Sequence, residues 1–487
     1  PKRIRRKFSR TSILPSKDNI GSGLKGRRRK SAAFYLPFLE NVLYNHGNDR
    51  IIAAAAGVIS QGDVSDGIKA EMADGRIHMQ VDLTKGAVTK NIIIFAIPMI
   101  CGNLLQQLYN VVDTLIVGKF LGEKALAAVG SSFTLLTFIT SVFLGLCMGC
   151  CAVFSMRCGE KAWEHLRENV FTAFIMIGVF ALLVNGVVYL LTDWIMSLLN
   201  VPVDVYPLMR EYLLVIFSGI MATFLYNFFA SLLRAVGNSV IPLVFLAVSA
   251  VTNILLDLLF VLIFDWGVQG AAAATVIAQW LSGVGSMAYT WQKCPELRPV
   301  RGQMRIRAGG IRELLSASVL TCMQQSVMNF GILMVQGLVN SFGTVVMAAF
   351  AAAAKIDAFA YMPLQDFGNA FSTFVAQNYG AGEEKRIQKG IRASLVMMLV
   401  FSVFVSTVVC LFARPLLLSF IHAEETEILS VGIKYLRIVG AFYFGIGSLF
   451  MLYGLYRAIN RPGMSLVLTI CSLGSRVALA YLLSAVP

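Results

Sequence analysis

The sequence predicts an all-α integral membrane protein built from two parallel six-helix bundle repeats, with eleven of the helices present. Three observations predict it. Of the 487 residues only 14% are charged and 57% are hydrophobic, and the mean hydropathy is +0.71; a soluble domain carries about 25% charged residues. The apolar residues recur in block after block from Ile92 onward instead of forming one anchor. Short motifs of the first half return in the second at a spacing near 220–225 residues.

Residues 1–78 stand apart. They hold "PKRIRRKFSR" and "KGRRRK", then polar sequence, and one weak apolar stretch, "IIAAAAGVI". That stretch is too short to cross a bilayer, and the charged region before it is too long for a signal peptide. The expectation is a disordered basic tail, or an upstream extension of the reading frame, with Met79 as a natural start. Much of the net charge of +14 sits in this tail. Without interleaved aromatics it predicts contact with anionic lipid and no nucleic-acid partner.

From there the blocks run at 92–118, 125–154, 168–195, 210–233, 240–264, 268–291, 311–340, 344–377, 391–421, 428–456 and 462–486. Each holds the roughly 20 residues a helix needs to cross the hydrocarbon core. They are too long and too continuous for barrel strands. With a cytoplasmic N-terminus, the inner loops collect Arg157, Lys161 and Arg167, then Arg234, then Lys293 to Arg312, then Lys385 to Arg392, then Arg457 and Arg461. The outer loops collect Asp193, Asp204, Asp265, Glu424, Glu425 and Glu427. The positive-inside rule supports this orientation in a plasma (inner) membrane.

"ALAAVGSSF" at 125–133 matches "VMAAFAAAA" at 346–354, "RCGEKAWEHLRENV" matches "GAGEEKRIQKGIRA", and "LLRAVGNSVIP" matches "LYRAINRP". Six helices return the chain to its starting side, so the repeats are parallel, an architecture of transporters. The expected lobes are 79–292 and 293–487. The second lacks its sixth helix, which reads as truncation of the sequence.

The residues with chemistry lie inside the spans. Gln106, Asn110 and Asp113 share one stripe of the first span, extended by Asn103. An aspartate at a helix centre costs roughly 2.5–3.5 kcal/mol to insert, so it faces a bundle interior or water and is functional by default. The bland reading is a polar interhelical lock, worth about 0.6 kcal/mol per bond. In the fifth span Asn253 and Asp257 are four apart and share a face. Two carboxylates with amide oxygens beside them can bind a proton or a small cation such as Na⁺; the alternative for Asp257 is pairing with Arg234. Lys355 and Asp357 could neutralise each other beside the Pro363 break, with Asp366 further on, and Arg476 is an internal counter-charge or an interface residue. The nine cysteines are scattered. The Cys-x-x-Cys within "CMGCC" has no third ligand near it and reads as apolar packing. The four histidines, among them His165 and His422, lie outside the apolar blocks, so no zinc constellation is visible.

"IPMICGNLLQQLYNVVDTLIVGKFLGEKALAAVG" resembles the first helix and following loop of the multidrug and toxic compound extrusion (MATE) family. "VAQNYGAGEEKR" resembles that family's loop after the eighth helix, and "LLRAVGNSVIP" with "TNILLDLLFVL" its fourth-to-fifth helix region. The resemblance covers 79–487. It implies a twelve-helix, two-lobed exporter, not an enzyme. Such an exporter exchanges small organic, often cationic, compounds for incoming H⁺ or Na⁺, works without a cofactor, and functions as a monomer among membrane lipids. It also implies an N-lobe cation site at Asp113, Asn253, Asp257 and Thr275, the last by resemblance alone. Some members use acids in helices seven and ten; here the seventh span has Gln324, Gln325 and Asn329, and the tenth has no acid, which favours the N-lobe. Candidate cavity-lining residues are Gln106, Tyr109, Asn110, Phe133, Met323, Gln324 and Met328, each of which also suits ordinary helix packing. Two alternatives stand beside this one. A lipid-linked saccharide flippase of the same superfamily would need more intramembrane Arg or Lys, and an integral membrane transferase would need an Asp-rich Mg²⁺ motif, which is not present.

Overall fold

A chain crossing lipid must satisfy its backbone within each segment, which leaves the helix as the local solution for long apolar runs. A computed structural model describes residues 81–198, 201–299 and 308–484; the predicted tail lies outside the described residues. The chain divides into a large unit, Met79–Val261 with Trp266–Pro487, and a second unit of Pro1–His78 with Leu262–Asp265, of which only those last four residues are described. The described α-helices all belong to the large unit.

They are α1 (Val88–Leu121), α2 (Glu123–Gly159), α3 (Trp163–Leu190), the short α4 (Thr192–Leu198), α5 (Tyr206–Phe217), α6 (Ile220–Ala235), α7 (Val240–Leu258) and α8 (Gly267–Lys293). They continue with α9 (Ala308–Asn340), α10 (Thr344–Gly380), α11 (Glu384–Leu411), the short α12 (Ala413–Leu418), α13 (Thr426–Ala441), α14 (Tyr443–Ala458) and α15 (Pro462–Ser484). Among the described residues there is no strand. Nine of these helices are long and apolar enough to cross a membrane, and eleven spans result if α5–α6 and α13–α14 each count as one.

The structure corrects the expected spans in two ways. The blocks 210–233 and 428–456 are bent, by 45° between α5 and α6 and by 49° between α13 and α14. At the first bend a Cβ on Gly219 would stand 2.8 Å from Gln279 Oε1 and 3.0 Å from Ile216 O, so the packing there is tight and a larger residue would push the Gln279 side chain aside. Hydropathy runs unbroken through both places and does not report the bends. The blocks 168–195 and 391–421 also end early, at Leu190 and Leu411, and α4 and α12 follow. In α12 Pro415 lies in the first turn, where its missing N–H costs nothing.

α1 packs on α7 and α10, α8 on α6 and α7, and α2 runs along α9 and α10. α2 joins the helices before residue 300 to those after it, and small residues permit the close approach. A Cβ on Gly149 would lie 2.5 Å from Ala317 O, one on Gly145 would lie 2.6 Å from Cys322 Cα, and one on Gly159 would overlap Gln377 O. Beside them Cys150 Sγ meets Ser318 Oγ at 3.1 Å, and Arg157 bonds Glu313 at 2.7 and 3.0 Å. Toward the other end of the same helices, Gly130 and Gly337 have no atom within 4 Å of a built Cβ. The two halves therefore touch closely at the end rich in arginine, called here the basic end, while Gly130 and Gly337 at the far ends of the same helices face open space.

A strap crosses the basic end ahead of α1. Val81 N donates to Gly237 O at 3.1 Å. Gly237 has φ +87, and a Cβ there would strike the Val81 backbone. On the other side Arg386 donates to the carbonyls of Gly86 (2.8 Å), Leu83 (3.0 Å) and Lys85 (3.2 Å), and Asn378 Nδ2 donates to Leu83 O at 3.2 Å. Within the strap, burial pushes the Asp82 carboxyl up, but hydrogen bonds from Thr84 and the nearby Lys85 ammonium outweigh it and hold the group below its usual range.

Candidate functional site

α1 brings its polar stripe to α7. The approach is set near Gly102, where a Cβ would be 3.7 Å from Leu246, an ordinary contact. Farther along α1, the Asp113 carboxyl lies against that of Asp257. Asp257 is fully buried and Asn253, one turn earlier, is 2% exposed. Asn253 Nδ2 donates to Thr275 Oγ1 of α8 at 3.3 Å, and Thr275 Oγ1 donates to Ala271 O at 3.1 Å. Asp113, Asn253, Asp257 and Thr275 thus meet in one place.

Their oxygens are the unusual feature. Asp113 Oδ1, Asn253 Oδ1 and both carboxyl oxygens of Asp257 are buried with no hydrogen-bond partner among the described residues. Buried carboxylates cost several kcal/mol each unless paired, and two adjacent like charges disfavour joint ionisation. The Asp113–Asp257 contact therefore gathers buried acceptors that a proton or a small cation would satisfy. No group of three or more His, Cys, Asp or Glu able to hold a metal occurs among the described residues. Any ion here would rely on two carboxylates with amide and hydroxyl oxygens, a donor set suited to hard cations. The expected alternative for Asp257, a pair with Arg234, is not formed: the charge that acts on Asp257 is Asp113.

Two tyrosines lie against the pair, and a third lies beside one of them. Tyr109 lies beside Gln106, Asp113 and Tyr226. Tyr212 of α5 lies near both carboxyls, and Tyr226 donates to Pro242 O at 3.2 Å. Sequence reasoning missed Tyr212; its only signal was a hydroxyl in the apolar run "YLLVIF". Of the other candidate lining residues, Phe133 (53%) and Met323 (47%) are exposed, Gln324 is buried at 2%, and Gln106, Asn110 and Met328 are half-buried.

The remaining polar residues of α10 and α15 also find places. Lys355 does not neutralise Asp357: it lies over the Phe420 ring at 5.8 Å, while Asp357 faces Tyr443 and feels Arg476. Residues two apart on a helix point to different sides, which is why that pairing fails. Asp366 is buried and accepts from Asn103 Nδ2 at 2.6 Å.

The MatE profile matches residues 98–259 and 318–482. The chain belongs to the MatE family. It is accordingly a multi-pass membrane transporter and not an enzyme. This MatE protein is 28% identical over 391 residues to a probable multidrug resistance protein, YpnP, of Bacillus subtilis, covering 80% of this chain and 87% of that one. It is 24% identical to a probable multidrug resistance protein, NorM, of Thermotoga maritima (81% and 86% covered). It is also 24% identical to an FAD transporter of Shewanella oneidensis (78% and 84%). Among solved structures it shares its fold with an outward-facing conformation of a multidrug resistance MATE family transporter, at a TM-score of 0.78, 22% identity, and 83% and 90% coverage.

Proposed function

We propose that this MatE protein is a secondary active exporter of small organic, often cationic, compounds, driven by antiport of H⁺ or Na⁺ across the plasma membrane. The observation that carries the reading is the contact of Asp113 with Asp257, whose buried oxygens lack partners. The names of the Bacillus and Thermotoga relatives support the substrate class.

The N-terminus and the basic end face the cytoplasm, as the loop charges suggest. The closely packed basic end supports a carrier that is shut on the cytoplasmic side and loads from an outward-open state. In that state the carboxyl pair takes up a cation from outside. Neutralisation changes the packing of α1, where Pro98 and Gly102 allow a bend. The bound compound loses its counter-charge and leaves, and the cation-loaded carrier, a monomer with two lobes (79–292 and 293–487), rocks inward to release the cation.

Proteoliposomes loaded with a fluorescent organic cation test this. A pH gradient alone and a Na⁺ gradient alone are imposed in separate runs, and one of them is expected to drive dye against its gradient. If neither does, the antiport reading fails.

A further inference from the structure

The two halves treat one arginine differently. Arg234 is the penultimate residue of α6, and Arg457 is the penultimate residue of α14. Arg457 is buried and satisfied inside its own half: its Nη2 donates to Asn369 Oδ1 at 2.9 Å and its Nε to Ser372 Oγ at 3.3 Å. Both acceptors lie on α10. At the matching turns of the equally long α2 (37 residues each) stand Met148 and Cys151, which offer no oxygen. Arg234 therefore has no such acceptor at home, and its buried Nε has no partner among the described residues. The carboxyl it acts on belongs to the other half, Asp366 of α10.

Asp366 is 3% exposed. Its Oδ1 takes the 2.6 Å bond from Asn103 of α1, and its Oδ2 is buried without a partner among the described residues. Asn369 lies beside it and links it to Arg457. Among the helices packed on α10, the charged or titratable groups near this place are Arg234 of α6, Arg457 of α14 and Cys151 of α2, which lies near both arginines. α1 contributes Asn103, and no charged group of α9, α11, α12 or α13 acts on Asp366 among the described residues. The α1 stripe of Asn103, Gln106, Asn110 and Asp113 runs from this carboxyl to the Asp113–Asp257 pair.

We propose that Asp366 is a second proton site of the transport cycle: ionised, it ties α10 to α1 and α6 and holds the basic end shut; protonated at Oδ2, it lets that end open. The proton comes from water in the outward cleft and returns to water on the cytoplasmic side. The ligand is a proton and not a metal ion, because a single carboxylate that already feels the Arg234 guanidinium, with the Arg457 guanidinium one residue beyond at Asn369, offers a free cation no net attraction. This rests on the export reading above, but its test needs no transported compound.

Spin labels at the exposed Lys161 and Lys385, one in each half at the basic end, report the separation between halves. Distances are measured in nanodiscs between pH 5 and pH 9, in a cysteine-free background. The wild-type open fraction is expected to rise as pH falls. Asp366→Asn should give a high open fraction with at least a fivefold smaller pH response, and Asp366→Glu should restore the response. Arg234→Gln, which keeps the carboxyl but removes its attraction, should raise the open fraction at pH 9. A wild-type protein with no pH response, or an Asp366→Asn protein that keeps it, overturns the proposal. Failure of export itself would appear separately, as absent dye movement in the proteoliposomes.

Discussion

Asp113→Asn separates coupling from folding, because the two depend on opposite properties of the same oxygen atoms. Asp257 is fully buried, and neither of its carboxyl oxygens has a donor among the described residues. Two ionised carboxylates about 4 Å apart repel by about 4 kcal/mol at an effective dielectric of 20, so the pair holds one cation and exchanges it as a unit. An amide at position 113 removes the exchangeable charge and presents an N–H to Asp257. Satisfying a buried acceptor is worth about 1–3 kcal/mol. The variant should therefore melt no lower than the wild type. Its transport should fail in a defined way. One proton crossing a one-unit pH difference supplies about 1.4 kcal/mol, which is tenfold in a concentration ratio. In proteoliposomes clamped at zero potential, wild-type protein should hold a dye ratio of roughly ten per pH unit. Asp113→Asn should bring the ratio to about one. A variant that still concentrates dye refutes the role of the pair, and a variant with a markedly lower Tm refutes the account of the unpartnered oxygens.

Other substitutions probe the neighbouring elements. Thr275→Val removes the hydroxyl that accepts from Asn253. It should weaken Na⁺-driven transport severalfold and H⁺-driven transport little, since a metal ion needs several oxygens and a proton one; equal effects on both would contradict that. Gly159→Val places side-chain atoms against Gln377 O. Overpacking costs roughly 1–3 kcal/mol, so the basic end should be held apart, seen as faster alkylation of Cys158. Arg386→Ala strips the strap of its carbonyl contacts. Charge-assisted bonds are worth about 1.5–3 kcal/mol each when buried and less when half-exposed, so a loss of about 1–3 kcal/mol is expected, with faster proteolysis around residues 83–86.

The sequence carried the parts of this molecule that are written along one helix. Asp113 with Asn110 and Gln106, and Asp257 with Asn253, follow from the helical repeat and the cost of burying charge, and α1 and α7 do bring the two sets together. Thr275 had no such signal: a threonine in an alanine-rich span is ordinary until Asn253 Nδ2 is found on its hydroxyl. The bends before Ile220 and before Tyr443 are silent in hydropathy because the flanking apolar residues outweigh the small residues at them, although the Ser218–Gly219 pair at the first is of the kind that kinks helices. Contacts between the halves are silent for a deeper reason. Asn103 and Asp366 are 263 positions apart, and nothing local to either names the other. Arg234, a basic residue at a helix end, is the alternative partner for Asp257 in sequence, yet the carboxyl it acts on is Asp366. The repeat itself supplies the missing logic once structure aligns it. Where two halves share a helix pattern, the informative residues are those whose partner position lacks the matching group. Arg234 without an Asn369 or a Ser372 is such a residue, and it directs attention from the pair inside one lobe to the carboxyl that joins both.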